Sequence, residues 1–273
     1  MFAINLLPII LMLIFTPKDA YIKWRPGITF IFVLSYISLF LNTLHTPLTL
    51  KGTLTKYDFI VIILVALWIL TKPCSLLILK KFNLVEFDVV YRMIYLLLAW
   101  YYISFRHINL SFQFSLEWRL WLVMIIITIA LILVSLFVVY KMRLYQLCFL
   151  GNIGIRKILI VTVYMFYFVA LSQEFIFRGL VFTYFDQFFP GNFFAMLIGS
   201  SVLFGLVHWT YAGWKMVIVA TIAGVGYGLV YYLTGNLFFP VICHTITNVF
   251  WKIFLRSSQL IISTPQGVFE SHL

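Results

Sequence analysis

Charge is what this sequence has least of. Only 10% of its 273 residues are charged, and 8 are Asp or Glu against 19 Lys or Arg. With 64% hydrophobic residues and a mean hydropathy of +1.08, too little polar side chain remains to cover a water-soluble domain. Cysteine is scarce too. Cys74, Cys148 and Cys243 are too few and too scattered for a disulfide framework, and no C-x-x-C spacing marks a zinc knuckle or redox pair. They read as small buried apolar residues. Internal repeats, low-complexity tracts and domain-sized linkers are missing. No Lys or Arg precedes Lys18, so the first apolar stretch lacks the charged start of a signal peptide.

What is there is apolar sequence in long stretches, separated by short charged segments, as in a membrane protein. About 20 apolar residues cross the hydrocarbon core as a helix. That length predicts spans near 2–16, 27–45, 57–71, 88–106, 118–140, 158–186, 192–209, 216–233 and 236–255. The expected fold is all-α, a polytopic bundle of eight or nine transmembrane helices, the count turning on the short first stretch with its Pro8. A barrel is excluded, because 123–132 is apolar at almost every position where a barrel strand would alternate.

The chain therefore reads as a multi-pass integral membrane protein, of the cell membrane if prokaryotic. A net charge of +11 raises nucleic acid as a partner. The Lys and Arg residues are dispersed over loops, however, instead of forming one dense stripe with interleaved aromatics. The lipid bilayer is the expected partner and nucleic acid is not. With nine helices, the loops after odd-numbered spans carry Lys18, Lys23 and Arg25; Lys72, Lys80 and Lys81; and Lys141, Arg143, Arg156 and Lys157. Those loops are then cytoplasmic and the N-terminus lies outside. The chain falls into three regions: 1–150 holds N-terminal spans with little polar content, 151–260 a core with nearly all the buried polar chemistry, and 261–273 a tail. Nothing in the sequence sets the oligomeric state.

An ionisable residue inside a membrane helix costs at least about 2.5–3.5 kcal/mol on insertion scales, so it calls for a partner and a role. Of the eight acids only Glu174 lies well inside an apolar helix, and Arg178 follows four residues later on the same face. Alone, the pair reads equally well as a buried ion pair fixing helix register. Two further constellations change that balance. Phe204-Gly-Leu-Val-His208 closes the next helix, and His244-Thr-Ile-Thr-Asn248 puts His and Asn on one face of the last. At about 1.5 Å of rise per residue, Glu174 lies roughly 20 Å and His208 roughly 25 Å from the intervening turn near 188–191, close enough in depth to meet. A polar relay in a transporter or scaffold would use the same residues. Gly224-Val-Gly-Tyr-Gly228 fits close helix packing, and the lack of glycine at 229 removes a dinucleotide-loop reading. Trp209 and Trp214 flank the expected loop after His208 as interface anchors.

Taken together, Gln173-Glu174-x-x-x-Arg178, Phe204-x-x-x-His208 and His244-x-x-x-Asn248 resemble the CAAX protease and bacteriocin-processing group of intramembrane endopeptidases. Its eukaryotic members are the type II CAAX prenyl endopeptidases. That family carries Glu-Glu-x-x-x-Arg, Phe-x-x-x-His and His-x-x-x-Asn, in this order, on successive core helices. The resemblance covers about residues 155–255. It implies hydrolysis of a peptide bond near the C-terminus or membrane-proximal segment of a membrane-anchored protein or peptide. In that scheme the first Glu of the pair and the second-motif His deprotonate a water, while the third-motif His and Asn stabilise the oxyanion. Such donors act strongly in a water-poor site. An older view places a metal on these residues, and Glu174, His208 and His244 would make a zinc set. The reading without a cofactor is preferred, because Asn248 and Arg178 suit oxyanion and ion-pair roles better than a zinc second layer.

The chain departs from the family at Gln173, where the first acid is expected. An amide cannot take the proton of an attacking water. Three accounts stand, in order of preference: Glu174 is the base with Gln173 orienting the water; the protein is a non-catalytic relative; or the chain carries a Glu-to-Gln substitution. Pairing with Arg178 would weaken Glu174 as a base, which counts against the first.

Overall fold

The computed structural model describes residues 110–147 and 154–257, with positions 55, 58 and 60. The expected spans 2–16, 27–45, 57–71 and 88–106, as well as Cys74, Cys148 and the tail 261–273, lie outside the described residues or are touched only at single positions. The chain divides into the compact units Met1–Asn109 and Leu110–Leu273, and the polar motifs all belong to the second.

This second unit is built of helices. α1 is Trp118–Lys141. α2 begins as Ile155–Tyr164 and continues unbroken to Phe188 through two π-helical stretches, Met165–Ala170 and Phe175–Val181. α3 is Phe193–Leu206, α4 Trp209–Thr234 and α5 Phe238–Phe254. Among the described residues three segments are long and apolar enough to cross a membrane: Trp118–Lys141, Ile158–Phe188 and Gly213–Thr234. α3 and α5 are shorter apolar helices. Among the described residues the only strands are two of three residues, β1 (Tyr145–Leu147) and β2 (Leu255–Ser257). They pair antiparallel with Tyr145 opposite Ser257.

α1 shows why the unit belongs in a bilayer. Its buried residues, Met124, Thr128, Leu131, Ser135 and Val139, recur every three or four positions and form one stripe. The remaining faces present Leu122, Ile125, Ile126, Ile129, Leu133 and Phe137 outward. Apolar side chains on the outside of an already apolar helix are stable where the surrounding medium is hydrocarbon. The inward stripe packs on α4 and α5, and the Thr128 hydroxyl reaches Cys243 Sγ at 3.1 Å.

The α2–α3 turn uses Gly191 at φ +69°, and Asn192 caps α3 by accepting the Ala195 N–H at 3.0 Å. α3 and α4 then pack closely through small residues. A Cβ on Gly224 would lie 3.0 Å from Ser201 Cα, and one on Gly205 would lie 2.7 Å from the Val217 carbonyl oxygen. Because the second obstacle is backbone, Gly205→Ala is expected to destabilise by about 1–3 kcal/mol through overpacking. Thermal unfolding in detergent checks this; an unchanged transition would show that α3 and α4 can move apart freely.

The connection after α3 is shorter than expected. The expected spans 192–209 and 216–233 leave a loop over 210–215, yet only Val207 and His208 separate α3 from α4. Trp209 and Trp214 therefore sit on the first turns of α4, both more than half exposed. The chain keeps its backbone bonded there by coiling, with Gly213 at φ +60° absorbing the irregularity.

Chain direction sorts charge between the two ends of the unit. The end formed by the exit of α1, the start of α2 and the exit of α5 carries Lys141, Arg143, Arg156, Lys157, Lys252 and Arg256. There Lys215 near the start of α4 donates to the Met142 carbonyl at 3.1 Å. Glu117, Asp186 and one base, Arg119, belong to the opposite end.

Candidate active site

Glu174 lies in the short α-helical piece Leu171–Glu174 between the two π-helical stretches of α2. Such wide turns occur often at functional sites. Its side chain is completely buried, as is that of Arg178. Arg178 Nη1 donates to Glu174 Oε1 at 3.2 Å. Its Nε stands 3.2 Å from Oε2, an ion-pair contact that does not meet hydrogen-bond geometry. The guanidinium is held on its remaining sides as well. Nη2 donates to the Gly224 carbonyl at 2.6 Å, and the plane lies over the rings of Phe204 (4.8 Å) and Tyr227 (5.4 Å). A flat cation with several donors in a fixed fork suits this enclosure, which a lysine ammonium could not fill.

Across the bundle, His244 on α5 places Nδ1 at 2.6 Å from Glu174 Oε1. An ionised carboxylate only accepts, so in the neutral ring Nδ1 carries the proton and Nε2 the lone pair. The ring is stacked on Tyr227, with centroids 4.4 Å apart and planes 15° apart, and the edge of Phe204 meets it at 5.7 Å. Thr247 donates its hydroxyl proton to the His244 carbonyl at 2.9 Å. Tyr227 therefore supplies the proton in its 2.5 Å bond to Thr247 Oγ1. These contacts fix both the backbone and the ring of His244.

His208 caps the start of α4, half-buried, with Nδ1 2.7 Å from the Phe204 carbonyl, to which it donates. The Phe204 ring thus touches all three polar motifs: it underlies Arg178, packs on His208 at 4.7 Å and edges His244.

A cleft of about 80 Å³ opens among α1, α3, α4 and α5, lined by Phe204, His208, Tyr227, His244, Thr247 and Asn248 among others. This is several times the room one water needs. The structure therefore joins His208, His244 and Asn248 around one space. The polar residues are arranged in layers. Glu174 and Arg178 stand behind His244 and form no part of the cleft wall. Gln173 is also outside it, half-buried, with its Oε1 buried and without a hydrogen-bond partner.

Two participants escape a reading of the sequence. Tyr227 and the Gly224 carbonyl both come from the Gly224–Gly228 stretch, whose spacing points only to packing. Packing is present, but the same turn also bonds Arg178 and stacks on His244. A tyrosine among small residues on an apolar helix is the available signal, because a buried phenol needs a hydrogen-bond partner.

Two histidines and an asparagine thus line one cleft between apolar helices, with a buried acid in contact with one of the histidines behind it. Residues 155–250, from the first turn of α2 into the last turns of α5, match the family model described as type II CAAX prenyl endopeptidase Rce1-like. The match covers about a third of the chain and makes this segment similar to that family, and the chain is an integral membrane protein. Neither a curated protein nor a solved structure matches the chain.

Proposed function

We propose that the chain hydrolyses a peptide bond near the C-terminus or membrane-proximal segment of a membrane-anchored protein or peptide, in a reaction that depends on Glu174. The observation that carries this reading is the 2.6 Å contact between Glu174 and His244, set directly behind a cleft that His208 and Asn248 also line. Asn248 follows His244 by one helical turn, where its amide can donate to an oxyanion forming in the same space. The basic end of the unit holds His208 and the exit of α5, so the cleft lies toward the cytoplasmic side.

We favour a reaction without zinc. Among the described residues no three His, Cys, Asp or Glu side chains are placed to share a metal. Glu174 Oε1 already accepts from His244 Nδ1 and Arg178 Nη1, and Oε2 faces the Arg178 Nε, so the carboxylate is engaged by its ion-pair partners. The expected result of elemental analysis on purified protein is less than stoichiometric zinc. Stoichiometric zinc, lost on His208→Ala, would overturn this and transfer the water to a metal.

Gln173 favours a second reading, a non-catalytic relative that keeps the fold and ion pair. One assay separates the two: purified protein in liposomes with a farnesylated CAAX peptide and with a single-span reporter bearing a cytoplasmic tail. Cleavage of either, abolished by Glu174→Gln, supports the enzyme. No cleavage by the unsubstituted chain supports the non-catalytic relative.

A further inference from the structure

We infer that Ser135 of α1 is a substrate-binding residue, whose hydroxyl donates to a backbone carbonyl of the peptide held in the cleft. The inference rests on the endopeptidase reading and deepens it, because it adds a contact from a helix that carries none of the three motifs and precedes the matched segment 155–250.

Ser135 differs from every other buried serine and threonine among the described residues. Thr128, Ser172, Ser200, Ser201, Thr245 and Thr247 each donate to a carbonyl three or four residues back in their own helix, at 2.6–3.3 Å. That bond is what a helix offers such a side chain. Ser135 is 3% exposed and lines the cleft, yet its hydroxyl forms no hydrogen bond among the described residues.

Packing sets the direction in which it points. One turn earlier, Leu131 is seated on Gly226 of α4, where a Cβ would come within 3.0 Å of its methyl carbons. Thr128 meets Cys243 of α5 at 3.1 Å. These two contacts hold the rotation of α1, and the same buried stripe runs on to Ser135. Turning the hydroxyl away from the cleft would lift Leu131 off Gly226.

The chemistry of the cleft says what the hydroxyl would meet. Near the start of α4 its wall is apolar, built from Met216, Val219, Ala220 and Ala223. A peptide entering such a space gives up the water on its amides, and each carbonyl left without a donor is costly. Tyr227 and Thr247 do not supply that donor, because Tyr227 gives its proton to Thr247 and Thr247 gives its own to the His244 carbonyl. The motif side chains serve the reacting carbonyl. Ser135 therefore matches a carbonyl of the same peptide away from the bond that is cut.

The test uses full-length protein in liposomes with the farnesylated CAAX peptide and the single-span reporter, and reads KM and kcat on whichever is cleaved. Ser135→Ala is expected to raise KM roughly 3- to 10-fold, the share of one neutral hydrogen bond, with kcat changed less than about twofold. Ser135→Cys keeps the volume but offers only a weak donor, and should follow Ser135→Ala. Thermal unfolding in detergent without peptide should be unchanged in both, since no bond within the protein is lost. A serine with a structural role would show the reverse, a lower transition at constant KM. An unchanged KM in Ser135→Ala, or a fall in kcat alone, would overturn the assignment. If the unsubstituted chain cleaves neither probe, the endopeptidase reading falls, and equilibrium binding decides the contact by itself. The probe is then a dye-labelled farnesylated CAAX peptide, its anisotropy taken above the signal from protein-free liposomes. A Kd weakened by the same factor in Ser135→Ala supports the contact; an equal Kd, or no binding to the unsubstituted chain, overturns it.

Discussion

Replacing Arg178 with methionine is expected to destabilise the protein by about 3–5 kcal/mol, the range for removing one partner of a buried ion pair. The guanidinium is the counterion of a fully buried Glu174, and it also satisfies the Gly224 carbonyl at 2.6 Å. Methionine matches its length and apolar stem but leaves Glu174 charged with only His244 beside it, and strips a backbone acceptor of its donor. Glu174→Gln combined with Arg178→Met removes both charges together and should recover much of the loss. Thermal unfolding of the single and double variants in detergent measures this. The double variant should still lack activity, since the anion behind His244 has gone. A single variant as stable as the unsubstituted chain would mean that Glu174 does not depend on Arg178 for its burial.

Gln173→Glu is expected to lower turnover by roughly 10- to 100-fold, although it restores the family's paired acids, because it weakens general-base catalysis of about 10²–10⁴-fold. Gln173 Oε1 is already buried without a hydrogen-bond donor, so a carboxylate there would be charged and unpaired. It would sit beside Glu174, and two adjacent acids in one desolvated site cannot both ionise freely. The added acid would compete for Arg178 and loosen the contact that orients His244. The check is initial rate on the farnesylated CAAX peptide, with unfolding measured alongside. A Gln173→Glu protein clearly more active than the chain as it stands would identify position 173 as the site of the missing base and the present chain as a silenced form.

Much of this site is legible without coordinates. Glu174, Arg178, His208, His244 and Asn248 announce themselves because ionisable and amide groups are costly in apolar helices, and their four-residue spacings put partners on one face. Among the described residues the long spans are legible: 118–140 is found as Trp118–Lys141 and 158–186 as Ile158–Phe188, while 236–255 forms the shorter apolar helix Phe238–Phe254. The π-helical turns of α2 are not, since an extra residue per turn is selected by packing and leaves no mark on hydropathy. Nor is the two-residue connection at His208, where a polar stretch that resembles a loop continues as helix.

Hydropathy and helical period act within a few turns of the chain, so the sequence by itself determined that this protein lives in a bilayer, where its helices run and which polar residues they carry. Only the tertiary structure decided which atoms of those residues meet. The Glu174–His244 contact joins side chains 70 residues apart, and the Tyr227 stack depends on a third helix. The order Arg178, Glu174, His244, cleft is therefore set by helix rotation and close packing through Gly205 and Gly224, which fix how near α3 and α4 approach.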